Sequence, residues 1–389
     1  MKKSIQWMTG LLLVLAFILQ LSGHGYIWKA LYSTYLQGHR TAHIDDAHNF
    51  DQRVIAKGAE QAWPRATNYN QQTLSDPIQQ HHQQHETAAF LVAQHGQLVH
   101  EQYFAPYTAQ SRTNSFSVAK TITTMQVGMA VQQGFISSFD APITEQIKEY
   151  VNDPRGNKAT VAQLASMKSG HEWDENYYLP LNMTTDLYYG KHAEALVLSH
   201  GFEREPGSEY EYSSGTTQVL GVFLKRALQA KEPTLTVSQH LSRSLWAPLG
   251  MGSDAIYTMD RPSEQGGMER TYCCIFATAQ DFGRIGQLLL QDGVWNGQQL
   301  LDKAFVERMR QPDLQPFYGH SLWMDWNYQH PFYLLQGHEG QYVMVVPSHG
   351  LVVVRTGKHR DKKTLGPNGQ IPKEVYSYVD EAVRLVQKP

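Results

Sequence analysis

Cysteine is nearly absent from this chain. There are two, Cys273 and Cys274, and they are neighbours. No CxxC pair exists, so a zinc ribbon is excluded. A disulfide between adjacent residues strains the peptide between them, so the expectation is two buried free thiols. Metal-ligand spacing is missing too: the 18 histidines are scattered and form no HExxH pattern. Blocks of one charge are also lacking. Lys and Arg total 33 against 36 Asp and Glu, a formal net charge of -3, which argues against nucleic acid as the main partner. No internal repeat is present. Aromatic residues, by contrast, make up 11% of the chain, as a folded protein requires.

One apolar run stands out, at the start. "MKKSIQW" is basic and "GLLLVLAFIL" (Gly10 to Leu19) is continuously apolar, which together read as an export signal. The run is short for a full span, as in a cleaved signal peptide. Against cleavage, "LSG" (Leu21 to Gly23) is a poor cleavage site, and Tyr26, Trp28, Tyr32 and Tyr35 follow as an interfacial aromatic belt would. Residues 1–29 are therefore read as a signal peptide or membrane anchor, with retention preferred. The expected location is periplasmic or otherwise extracytoplasmic, with residues 5–28 as the inner-membrane anchor and the only membrane contact.

Residues 30–86 are polar, with few periodic apolar positions, and read as a partly irregular extension. Its "QQHHQQHE" (Gln79 to Glu86) reads as a solvated linker rather than a metal site. "TAAFLVAQHGQLVHEQYF" (Thr87 to Phe104) is two β-type runs around His95-Gly96, a hairpin. A stretch of helical spacing follows from Thr121, and Gly134 can end it. Residues 140–290 read as mainly helical, and Thr278 N-caps one clear helix with Asp281 at the capping-box position. Strand character returns in "YGHSLWMDW", "FYLLQGHEGQYVMVVP" and "GLVVVRTG", with a tight turn at His349-Gly350. Ile371 to Gln387 reads as a closing helix. Strands at both ends and helices between them predict an α+β sandwich. Its antiparallel sheet combines N- and C-terminal segments, flanked by helices, with a mainly helical insertion at roughly 140–290 in a domain of 87–389.

Chemistry enters at "SFSVAK" (Ser115 to Lys120). Ser117 and Lys120 are three apart and share a helix face. A serine at the first turn feels the positive helix end, and a desolvated lysine beneath it gives up its proton more easily and can take the serine's. Ser115 is the better N-cap, which frees Ser117. About one SxxK is expected by chance in a chain of this size, so the pair alone is weak.

Its context is more specific. "SFSVAKTITTMQVGMAVQQGFISSFDAPI", "TVAQLASMKSGHEW", "EPGSEYEYSSGTTQVLGVFL", "CCIFATAQDFGRIGQLLLQDGVWNGQQLL" and "GHEGQYVMVVP" occur in that order. Together they resemble the β-lactamase-related serine hydrolases, a group of class C β-lactamases, DD-peptidases, family VIII esterases and 6-aminohexanoate-dimer hydrolase. The resemblance runs from about Thr87 to the C-terminus and implies the serine β-lactamase/DD-peptidase-like fold.

The resemblance also implies roles. Ser117 would be the acylated nucleophile, Lys120 its proton partner, and Tyr212 of "YSS" the catalytic tyrosine, serving as phenolate base and then as acid. Tyr210 is the alternative on the same face if that segment is a strand. Ser214 stands where the family commonly has asparagine, and His338-Glu339-Gly340 where class C β-lactamases carry Lys-Thr-Gly. Both departures weaken classical β-lactam recognition. Gly340 would let the strand approach a ligand. The N–H groups of Ser117 and Gln341 would form the oxyanion hole. Tyr177 matches a pocket tyrosine of the 6-aminohexanoate-dimer hydrolase-like branch; the plainer reading is a solvent-facing aromatic loop. His338 can equally be a loop histidine at a strand end. Asp140 is read as a turn residue. No metal or other cofactor is called for.

The sequence thus points to a serine hydrolase acting through an acyl-enzyme on Ser117, cleaving a small-molecule ester or small amide. Two alternatives stand: a DD-peptidase or β-lactamase working on cell-wall peptides or β-lactams, and a non-catalytic binding or sensor domain that keeps the fold.

Overall fold

The computed structural model describes Trp7, Val14 and residues 16–387. Much of the N-terminal segment read as a signal or anchor lies outside the described residues. Among the described residues no helix is long and apolar enough to cross a membrane.

A six-stranded antiparallel sheet forms the centre. Its strands lie in the order Gln97–Tyr103, Thr87–Gln94, Leu351–Gly357, Gln341–Val346, Phe332–Gly337 and Trp323–Asp325. The two ends of the chain meet where Val92 pairs with Val353 and Phe90 with Arg355. Alternation along each strand sorts the apolar side chains into two layers. Phe90, Val92, Met344, Val346, Leu351 and Val353 join one core. Leu91, Ala93, Val343, Val345, Val352 and Val354 join the other. On the first face lies the closing helix Lys373–Val386, whose Val375, Val379, Ala382 and Val383 recur at helical spacing and are all buried. On the second lies Ala279–Leu290. Its Gly286 is what lets helix and sheet touch: a Cβ there would fall 2.6 Å from a Val343 methyl and 2.9 Å from a Val352 methyl.

Local signals hold where they were strong. The Thr87–Tyr103 hairpin turns on His95 and Gly96, at φ 49° and 80°, as a two-residue loop demands. Thr278 caps its helix by accepting from the Asp281 N–H. The His349-Gly350 turn joins Gln341–Val346 to Leu351–Gly357.

Three expectations differ from the structure. The stretch "FYLLQGHEGQYVMVVP" is two strands rather than one, broken by a turn at His338–Gly340, where Glu339 and Gly340 take φ 55° and 86°. The middle of the chain is not only helical. A second sheet, ordered Asp51–Ile55, Ala255–Met259, Ile275–Ala277 and Thr113–Asn114, crosses it. Residues 30–86 are polar in composition yet enter the folded body. Ile44, Phe50, Ile55, Trp63 and Ile78 are buried, and "QQHHQQ" lies within the helix Asp76–Gln84, where His82 is buried and stacked on Tyr378. A few apolar residues at irregular spacing suffice to anchor such a segment, and periodicity cannot reveal them.

Candidate active site

The nucleophile candidate sits where the second sheet hands over to the helix Val118–Gln132. Asn114 pairs with Phe276. The Ser115 N–H donates to the Ile275 carbonyl at 2.7 Å, and the Ile275 N–H donates to Ser115 Oγ at 3.1 Å. Ser115 is thus a cross-strand tie and not the expected helix cap. Phe116 follows at φ 43°, a left-handed conformation that costs a non-glycine residue about 1–2 kcal/mol. The Asn114 side chain holds it by accepting from the Phe116 N–H at 3.0 Å. Ser117 then stands at the helix start, and its N–H makes no hydrogen bond among the described residues.

The helix behind it is buried on every side from Val118 to Ala130. Its polar side chains are tied at fixed points: Thr121 donates to the Ser321 carbonyl, Thr123 to the Thr271 carbonyl and Gln126 to the Val237 carbonyl. These bonds set the rotation of the helix and so the place of Lys120. Lys120 is 1% exposed. Its Nζ donates to Ser117 Oγ at 3.1 Å, Ser214 Oγ at 3.0 Å and the Tyr272 carbonyl at 3.1 Å. Burial pulls its pKa down to about 8, against a partial upward pull from the charge of Glu175.

Tyr212 completes the group. Its ring centroid lies 5.0 Å from Lys120 Nζ. Burial raises its pKa, with a hydrogen bond to Ser117 pulling the other way. At neutral pH it is therefore a phenol, not the phenolate expected from the sequence. Tyr210 packs instead against Phe317 and Tyr318.

Ser214 opens the helix Ser214–Lys231, which Ser213 caps by accepting from the Thr216 N–H. Its hydroxyl accepts from Lys120 and donates to Glu175 Oε1 at 2.6 Å, while its N–H donates to Glu175 Oε2 at 2.7 Å. Tyr177 also donates to Glu175. Glu175, which the sequence reading passed over, thus ties the loop carrying Tyr177 to the lysine through Ser214. The only signal for it was an acidic residue two positions before Tyr177. Its partner Ser214 lies 39 residues away, a separation that no local pattern spans.

The rest of the proposed site divides. His338 lines the pocket with Ser117, Tyr177 and Ser214. Its ring meets Phe116 edge-on at 5.5 Å and Tyr177 at 5.2 Å. Burial, helped by Arg360, lowers its pKa to about 4, so it is a neutral imidazole. Glu339 and Gly340 do not line this pocket. Glu339 lies between two histidines, with Oε1 3.3 Å from His338 Nε2 and Oε2 3.6 Å from His359 Nδ1. A Cβ on Gly340 would meet the Arg355 guanidinium. Gly337 is what lets this strand end pack on the nucleophile segment: a Cβ there would fall 2.3 Å from the Ser115 carbonyl oxygen. Gln341 pairs with Gly337 at this point, and its side chain donates to the His338 and Gly357 carbonyls.

Cys273 and Cys274 form a disulfide, a correction to the expected free thiols. Cys274 takes φ 75°, which turns the backbone between the paired residues. Cys273 lines the pocket, directly after the carbonyl of Tyr272 that receives Lys120. Among the described residues no cluster of His, Cys, Asp or Glu is arranged to hold a metal ion.

Comparison with known proteins agrees with this architecture. A family model described as Beta-lactamase matches residues 59–363. The chain is 27% identical over 231 residues to 6-aminohexanoate-dimer hydrolase of Paenarthrobacter ureafaciens, a match covering 57% of this chain and 56% of that protein. The alignment therefore spans little more than half of the relative's length. In three dimensions the chain resembles a Bacillus anthracis protein assigned as a 6-aminohexanoate-dimer hydrolase, with TM-score 0.67 and 20% identity over 87% of this chain and 90% of that one. It also resembles a family VIII carboxylesterase, with TM-score 0.62 and 15% identity over 84% of this chain and 99% of that one. At these identities the two structures speak for the fold.

Proposed function

This chain belongs to the beta-lactamase family, and from that membership we propose that it is a serine hydrolase that cleaves an ester or small amide through an acyl-enzyme on Ser117. One observation carries the reading: Lys120 Nζ lies 3.1 Å from Ser117 Oγ, and burial brings that lysine down to about 8. A lysine so placed is partly neutral at physiological pH and can accept a proton.

The steps follow from the positions. Neutral Lys120 takes the hydroxyl proton as Ser117 Oγ bonds to the substrate carbonyl carbon. The free Ser117 N–H is one donor for the developing oxyanion; Gln341, expected from the sequence to supply the second, pairs with Gly337 in the sheet and does not line the pocket. The carbonyl re-forms and the bond to the leaving oxygen or nitrogen breaks. That atom takes a proton from Lys120, and the protonated Tyr212 hydroxyl beside Ser117 supports the transfer. Water then attacks the ester on Ser117 with the same lysine as base, which releases the acid and restores the serine. Tyr177 and neutral His338 supply hydrogen-bonding groups on the pocket side. The replacement of the usual asparagine and lysine by Ser214 and His338 favours an ester or neutral amide over an anionic β-lactam. This is closer to the esterase and 6-aminohexanoate-dimer hydrolase-like branch.

The test is covalent labelling. Purified protein incubated with a fluorophosphonate gains the probe mass on Ser117, and the S117A variant does not. Folded protein that stays unlabelled overturns the reading.

The basic start and the apolar run after it support export, with the chain held at the outer face of the inner membrane by its N-terminal segment. Recovery of the uncleaved N-terminus from carbonate-washed membranes is the expected result. A mature chain free in the periplasm would refute retention.

A further inference from the structure

The pocket over Ser117 has a wall that the family match does not contain. That match begins at residue 59. Upstream of it, the helix Tyr26–Ser33 and the segment after it supply Ile27, Ala30, Leu31, Tyr35 and Ala42 to the pocket lining. The helix is held there by buried Tyr26 and Ile27 and by Lys29, whose ammonium sits 4.4 Å from the centroid of the Phe50 ring. Facing it, Tyr178, Leu179 and Pro180 line the same space. Leu31, Tyr35, Tyr178 and Leu179 are all exposed, so apolar surface continues from the pocket to its rim. No carboxylate lines the pocket, and Arg40 is its one permanent charge among the described residues.

We propose that the segment 27–42 and the loop 178–180 form an acyl-chain site, so that the enzyme prefers esters or amides of apolar acyl groups several carbons long over acetyl compounds. The inference rests on the acyl-enzyme reading above. Direction follows from the proton donors. Lys120 reaches Ser117 from the buried side of the pocket, where it meets the leaving group, and the apolar wall lies toward the open side, so the acyl portion is assigned to the wall. An extended chain there removes both its own surface and that of Leu31, Tyr35 and Leu179 from water. Each buried methylene is worth about 0.8 kcal/mol, roughly a fourfold gain.

The experiment compares kcat/KM of the full-length protein for p-nitrophenyl acetate, butyrate and octanoate. The expected result is a rise of at least about tenfold from acetate to octanoate, which needs only two of the added methylenes buried. Replacing two exposed wall residues, L31S with L179S, lowers the octanoate-to-acetate ratio at least about fivefold; the partner variant L31M, which keeps the apolar surface, retains it. A flat or falling series, or an unchanged ratio in L31S/L179S, overturns the acyl-chain site while leaving the hydrolase reading intact. Failure to turn over any of the three esters overturns the hydrolase reading, and the acyl-chain site with it.

Discussion

The two sides of the pocket are built by opposite means. Behind Ser117 the polar groups are linked: buried Lys120 has three hydrogen-bond partners, and Ser214 and Glu175 continue the chain of contacts. Across the pocket, Leu31, Tyr35, Tyr178 and Leu179 are exposed and apolar. The inner side suits chemistry, because a charge taken out of water changes its proton affinity. The outer side can only offer surface, because exposed apolar groups gain energy in proportion to the area a ligand covers. Reactivity and selectivity are therefore separable here, and substitutions on the two sides should have different kinetic signatures.

The sharpest break in that comparison is S117A, which removes the bond-forming atom. Ester turnover should fall by about 10⁴-fold or more with the fold intact, as circular dichroism would verify. Next is K120M, which keeps the volume and removes the base; kcat/KM should fall by about 10³-fold. For the unaltered protein the base form of Lys120 accumulates as pH rises through about 8, so kcat/KM should climb from pH 6 and level off above that value. A profile flat across this range would mean that Lys120 does not supply the base. E175Q comes third. The carboxylate of Glu175 pulls the Lys120 pKa upward, so removing its charge should move the inflection to lower pH by up to about one unit. With it, kcat should drop about tenfold as the Ser214 hydroxyl loses an anionic acceptor. An unmoved inflection would confine Glu175 to anchoring the Tyr177 loop.

The smallest effect tests the seam between the two sides. Cys273 lines the pocket and adjoins the Tyr272 carbonyl that holds Lys120. The disulfide closes a ring across the left-handed Cys274 and so fixes the backbone turn beside that carbonyl. C273S/C274S should lower both the melting temperature, by a few degrees, and kcat/KM, by about two- to fivefold. A change in the melting temperature alone would place the disulfide with the scaffold rather than with the site.

Much of the inner side was legible. Ser117 and Lys120 show as an i, i+3 pair, and Tyr212 stands just before the Ser213 cap of a helix. The hairpin at His95-Gly96 and the capped helix after Thr278 each carry a complete local signal. Glu175, Gly337 and Tyr272 were not legible, since each acts on a partner from another element. The apolar wall was hidden differently. Tyr26 to Tyr35 was read as a membrane-facing belt, and the same side-chain chemistry suits a pocket rim.

What the sequence settled by itself is periodic and short-ranged: strand alternation, helix faces, turn residues, and the spacing that puts a lysine one turn beyond a serine. Those depend on backbone geometry repeated every two or 3.6 residues. What only the tertiary structure decided is the state of that lysine. A proton affinity near neutrality requires water to be removed on all sides, and residues from 94 and 152 positions away close over Lys120 to do it. Desolvation is a property of the whole enclosure, so no window of sequence contains it.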